Sequence, residues 1–314
     1  MIRVLVAGLA VAGTIRLFGA ATLGAGTART APAYRGTLSF STPGNGDPWS
    51  PAIVQDLDVA SGAMTVRFNG LDATRGRTGE MAFVQRLANG YYADHGIVVA
   101  DARDVPGAPV HVCKEFNWSS NRVCGAPRLS ADGRFVAYAA VGEGSACKNN
   151  YGMYRGVFVF VTDRRGREVA RFEGYADPDW LPDGRLLLMG TQCRAAGIWM
   201  TDRALHDVSR IDEEQVATPA AAPAVSPDGR RVAFVWNNQL WGLSLAGRPE
   251  LTQLTRLGKS VAAAAWSPDG TALAALLFDV SMPVRTVVLF RPGDESSVVA
   301  RELPVYPYGP LSWR

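Results

Sequence analysis

Four cysteines, three histidines and a set of aspartates before glycine are the residues of this 314-residue chain with the most chemical potential. Cys113, Cys124, Cys147 and Cys193 lack the paired Cys-x-x-Cys spacing of a zinc site, so they read as disulfide cysteines of an oxidising compartment. His95, His111 and His206 are too few and too scattered to build a metal centre, and neither metal nor cofactor is expected. No Gly-x-Ser-x-Gly elbow and no His-Glu-x-x-His helix occurs, so no residue is assigned a catalytic role. Asp132, Asp183, Asp228 and Asp269 recur in one local context, which suits a repeated turn better than acid catalysis or calcium binding.

Those aspartates mark four related stretches: Pro127-Arg-Leu-Ser-Ala-Asp-Gly133, Asp179-Trp-Leu-Pro-Asp-Gly184, Ala224-Val-Ser-Pro-Asp-Gly229 and Ala265-Trp-Ser-Pro-Asp-Gly270. They are spaced 51, 45 and 41 residues apart, and a period of this size signals a propeller or an array. Each runs into an apolar segment such as Leu186-Leu-Leu-Met189 or Val232-Ala-Phe-Val235. Proline presets the turn, Asp bonds its own backbone and Gly accepts positive φ, so each motif reads as strand, turn, strand. Third and fourth strands follow, as at Gln239–Leu245 and Leu251–Thr255, which makes the four-stranded blade of a β-propeller.

Two weaker units extend the rhythm backward. One spans Met81–Val84, Gly96–Val99 and Pro109–Val112, with Asn89-Gly90 standing in for Pro-Asp-Gly; the other holds Ile53–Val59 and Ala63–Phe68. At the far end Tyr308–Trp313 repeats the first-strand pattern, so the C-terminal strand is expected to join the N-terminal blade and remove the open edges. The expected fold is all-β: a six-bladed propeller of four-stranded antiparallel blades over residues 34–314. Trp180, Trp266 and Trp313, at equivalent points, are expected between blades.

Residues 1–33 read as a signal peptide, with Arg3, an apolar run from Val4 to Ile15 and small-residue sites near Ala28 and Ala33. Arg16 interrupts the run, and an uncleaved N-terminal anchor is the other reading. It would give the only membrane contact. A formal net charge of +3, without a basic stripe, argues against nucleic acid as a partner.

The Trp-Ser-Pro-Asp-Gly element with its following apolar strand resembles the WD40-like repeat of the TolB family of periplasmic six-bladed propellers. It also resembles the propellers of prolyl oligopeptidase-type peptidases. The resemblance covers residues 122–314 closely and 36–121 loosely. Neither the TolB family's separate N-terminal domain nor the peptidases' hydrolase domain finds room in the chain. The resemblance implies a monomeric, non-enzymatic, periplasmic or secreted module that binds another envelope or extracellular protein. Two contrasting readings are a lactonase- or lyase-like enzyme with a metal in the channel, and a sugar-binding or structural envelope component.

In a propeller the links holding the cysteines emerge opposite the Pro-Asp-Gly turns. Cys113–Cys124 is expected as a local staple and Cys147–Cys193 as a bridge between blades, although four cysteines allow three connectivities. The loops Lys114–Arg122 and Gly142–Arg155 are the longest insertions. Phe116, Trp118, Lys148, Tyr151, Tyr154 and Arg155, with Arg194, form the candidate binding surface, because aromatic residues and arginine dominate binding hot spots. The same aromatics would also serve simply to cover the loops and bridges.

Overall fold

The computed structural model describes residues 34–43, 52–87, 95–103, 105–113, 124–143, 155–191, 194–256, 259–279, 282–303 and 307–314. All belong to a unit running Ala33–Arg314. Every described element is a strand. In chain order, the first blade contributes β1 (Thr37–Pro43), β2 (Ala52–Asp58) and β3 (Met64–Asn69). The second is β4 (Leu71–Arg75), β5 (Met81–Arg86), β6 (His95–Ala100) and β7 (His111–Cys113). The third is β8 (Cys124–Leu129), β9 (Phe135–Glu143), β10 (Arg155–Asp163) and β11 (Glu168–Glu173). The fourth is β12 (Tyr175–Trp180), β13 (Leu186–Gly190), β14 (Ile198–Thr201) and β15 (Val208–Arg210). The fifth is β16 (Ala221–Val225), β17 (Arg231–Trp236), β18 (Gln239–Ser244) and β19 (Leu251–Gln253). The sixth is β20 (Ser260–Trp266), β21 (Leu273–Asp279), β22 (Met282–Arg291) and β23 (Asp294–Glu302), after which β24 (Tyr308–Trp313) ends the chain.

Each sheet has four antiparallel strands, and the first has the order β24-β1-β2-β3. The C-terminal strand is therefore the innermost strand of the N-terminal blade, as expected. The innermost strands touch in a closed cycle, β24 to β4, β8, β12, β16, β20 and back to β24. Six blades around one channel follow.

The apolar runs are continuous because the second strand of each blade is covered on both faces by its neighbours. All five residues of β13 are buried, whereas outer strands such as β3 are mostly exposed. The core is correspondingly divided into six clusters, one at each junction between blades. Val136 and Tyr138 of blade three meet Ile97 and Val99 of blade two, and Phe234 of blade five meets Leu187 and Met189 of blade four.

The Ser-Pro-Asp-Gly turns close as their residue types demand. In blade five the Gly229 amide donates to the Ser226 carbonyl at 2.8 Å, and Gly229 takes φ of 70°. The Ser226 hydroxyl donates to Asp228 at 2.6 Å and accepts from the Arg231 amide at 2.9 Å. Ser267 and Asp269 repeat this in blade six. In blade two the equivalent turn is not Asn89-Gly90 but Gly76-Arg77-Thr78-Gly79, where the Gly79 amide donates to the Gly76 carbonyl and φ of Gly79 is 89°. The motif is masked there because Gly, Arg and Thr replace Ser, Pro and Asp.

Candidate functional site

Five of the innermost strands, β4, β8, β12, β16 and β20, end at these turns, so the propeller has a turn face and an opposite loop face. Near the loop face, the inner strands of blades two to five each carry a bulge, marked by register shifts against the second strand. Asp72, Ala126, Asp177 and Ala222 take positive φ there, between 42° and 53°. A bulge releases backbone groups from the ladder, and these need other partners. The carboxylates supply them: Asp177 accepts from the Ala222 amide at 3.0 Å and Asp72 from the Ala126 amide at 3.4 Å. Asp179 likewise accepts from the Val225 amide at 2.7 Å, and the Thr74 hydroxyl donates to the Pro127 carbonyl. Asp177 and Asp179, which stand out in the sequence among apolar inner-strand residues, are thus ties between blades four and five.

Trp180 and Trp266 likewise tie neighbouring blades, and Trp313 ties β24 to the segment before β1 of its own blade. All three are buried, and Trp180 donates through Nε1 to the Arg128 carbonyl of blade three at 3.1 Å. Trp266 donates to the Ala224 carbonyl of blade five at 2.9 Å, and Trp313 to the Arg35 carbonyl at 2.9 Å.

Where the channel opens at the turn face lies a cavity of about 590 Å³. Arg75, Arg77, Arg128 and Arg314 line it together with Asp179, the three tryptophans, Pro227 and Pro268. Arg75 occupies the position that tryptophan holds in blades one, four and six. Its Nη1 donates to the Gly79 carbonyl at 2.9 Å, and Nη2 lies 3.6 Å from the buried Asp56 carboxylate. Asp56 also sits 2.9 Å from Arg67 and 3.6 Å from Arg314. Arg128 lies 3.5 Å from Asp179. Burial pushes the Asp179 carboxyl above its ordinary value, against the pull of Arg128. Sequence reasoning missed Asp72, Arg75 and Arg77 because β4 carries no recognisable turn motif behind it, and it passed over Arg128, inside the motif Pro127–Gly133, as part of the scaffold.

The candidate loop surface lies only partly within the described residues. Phe116, Trp118, Lys148, Tyr151 and Tyr154 lie outside the described residues, as do Cys147 and Cys193. Arg155 and Cys113 are placed as strand positions, opposite Glu143 and His95 respectively. Arg194 is exposed, with its guanidinium 5.6 Å from the Tyr175 ring. Cys124 is buried and is not a free thiol; the cysteine it joins lies outside the described side chains. Among the described residues no group of three or more His, Cys, Asp and Glu side chains gathers as a metal site. His111 instead packs 5.0 Å from Tyr138 and 5.9 Å from Phe160, and burial lowers its pKa.

A family model described as the dipeptidyl peptidase IV N-terminal region matches residues 191–309. TolB from Acinetobacter baumannii superposes with a TM-score of 0.66 at 14% identity, over 88% of this chain and 66% of that one. This chain therefore spans just under two thirds of the length of that TolB. The fold is that of a TolB-type propeller. A putative TolB from Agrobacterium tumefaciens gives 0.54 at 14% identity, over 87% and 90% of the two chains. A chain of a nidogen/laminin complex gives 0.58 at 12% identity, over 88% and 98%. At such identities the likeness is one of architecture, and the TolB-like scaffold leaves this chain's own surface chemistry to be read from its residues.

Proposed function

We propose that this TolB-like propeller is an exported, non-enzymatic binding module that holds another protein at the turn-face mouth of its channel. The observation that carries this reading is the cavity of about 590 Å³ at that mouth, ringed by arginine and tryptophan. These residue types dominate binding hot spots, and rigid scaffolds commonly present function on their connecting segments. The inner-strand carboxylates Asp177 and Asp179 accept backbone N–H bonds from the next blade, which supports binding over acid–base chemistry. The nidogen/laminin likeness adds a propeller of this architecture found in a protein complex. The resemblance to the periplasmic TolB family, with the export-like residues 1–33, supports a place in the cell envelope or outside the cell. The Cys113–Cys124 and Cys147–Cys193 pairings are part of this proposal.

Affinity capture from the native envelope tests it. Ala131→Trp, which fills the mouth, is expected to lose the partner while keeping the unfolding midpoint of the wild type. The double variant Trp118→Ala/Tyr151→Ala is expected to retain it. The opposite pattern would move the site to the loop face.

A further inference from the structure

The second residue of the turns at the mouth is Ala131 in blade three and Pro182, Pro227 and Pro268 in blades four to six. Blade two places Arg77 at this position, on a turn with the same closing bond. The Arg77 side chain is exposed, and its Nη2 donates to the Pro227 carbonyl at 2.7 Å. Pro227 belongs to blade five, which faces blade two across a ring of six, so the guanidinium spans the opening. The turn beneath it is anchored on the other side, where Glu80 pairs with Arg164 of blade three at 2.9 Å.

Four arginines line this mouth against Asp179, with Asp56 behind Arg75 and Arg314. Positive charge exceeds negative even with both carboxylates counted. A carbonyl engages a guanidinium through one neutral acceptor, whereas a carboxylate offers two parallel charge-assisted bonds. An entering carboxylate thus competes well for Arg77.

We propose that Arg77 is a displaceable strap across the channel mouth, which exchanges the Pro227 carbonyl for a carboxylate of an acidic peptide segment on the bound partner. This rests on the reading of the mouth as a docking site. Arg75, Arg128 and Arg314 supply the attractive field, and Arg77 makes the directional contact.

The full chain is titrated with hexaglutamate, hexaglutamine and inorganic phosphate, following fluorescence of the mouth tryptophans. Hexaglutamate is expected to bind and to weaken as salt rises, with hexaglutamine at least about tenfold weaker, since a bond to a charged group is worth about 1.5–3 kcal/mol. Arg77→Gln is expected to weaken hexaglutamate by about tenfold or more with an unchanged urea midpoint, and Arg77→Lys to fall between. Equal binding of the two peptides, an Arg77→Gln variant as tight as wild type, or binding of phosphate alone would overturn the proposal. Should hexaglutamate fail while a protein partner still crosslinks at the mouth, the strap is wrong and the docking reading stands. Should the peptide bind through Arg77 while no partner crosslinks there, the strap stands and the docking reading falls.

Discussion

Asp228 and Asp269 hold their carboxyls below the ordinary value of 3.8 because the Ser226 and Ser267 hydroxyls and nearby amides donate to the ionised form. Asp179 shows the opposite shift, since burial outweighs Arg128. The two kinds of aspartate therefore answer pH with opposite sign. A depressed carboxyl stabilises the fold above 3.8, and that contribution is lost as pH falls through the folded value. Ser226→Ala is accordingly expected to cost about 1 kcal/mol at neutral pH. In urea titrations the cost should shrink below about pH 4 without vanishing, because the Arg231 N–H bond to the hydroxyl does not titrate. A raised carboxyl contributes most below its unfolded value, and the contribution disappears as pH rises through the folded value. Asp179→Asn keeps one acceptor oxygen, for either the Val225 or the Trp180 amide, which bond different oxygens of the carboxylate, and it removes the titration. The stability of wild type relative to this variant is expected to fall as pH is raised from 3 upward. A difference that stays flat, or that grows, would mean that Arg128 and not burial governs Asp179.

At the scale of elements, closure depends on a narrow approach between β24 and the segment before β1. Gly36 takes φ of 105°, and a Cβ there would collide with the Arg314 carbonyl oxygen. Residue 37 donates to that oxygen at 2.7 Å, so Gly36→Ala strains the backbone and pries at the closing strand together. A loss of at least about 1–2 kcal/mol is expected from the left-handed conformation alone, measured as a lowered urea midpoint. A midpoint equal to wild type would show that β24 contributes little to closure. This scale also explains what was readable beforehand. Blades three to six announced themselves because Asp-Gly with a following apolar run is a local signal, and Tyr308–Trp313 repeated it well enough to predict closure. β4 stayed hidden because Gly76-Arg-Thr-Gly79 makes the same turn with different residues, and Asn89-Gly90 offered a false substitute. With β4 went Arg75 and Arg77. The cavity was illegible for a further reason: its arginines come from blades one, two and three, and only the closed ring brings them together.

The unit Ala33–Arg314 is a ring of six apolar junctions around a channel whose mouth is lined by arginine, tryptophan and proline. Removing 308–314 takes Leu311 and Trp313 out of the junction between blades six and one. Burial of two such side chains is worth about 3–6 kcal/mol, and the truncated chain is expected to lose a single cooperative urea transition. Retention of that transition at the wild-type midpoint would contradict a ring closed by β24. A ring so tied is a rigid frame, and its functional question reduces to which face meets a partner. Site-specific photocrosslinking in native cells answers it, with the reactive residue placed at Thr78 on the mouth, at Arg194 on the loop face or at Val66 on an outer strand, all three exposed. Docking at the mouth predicts a protein adduct from Thr78 and none from Val66 or Arg194. An adduct from Arg194 or Val66 with none from Thr78 would contradict it.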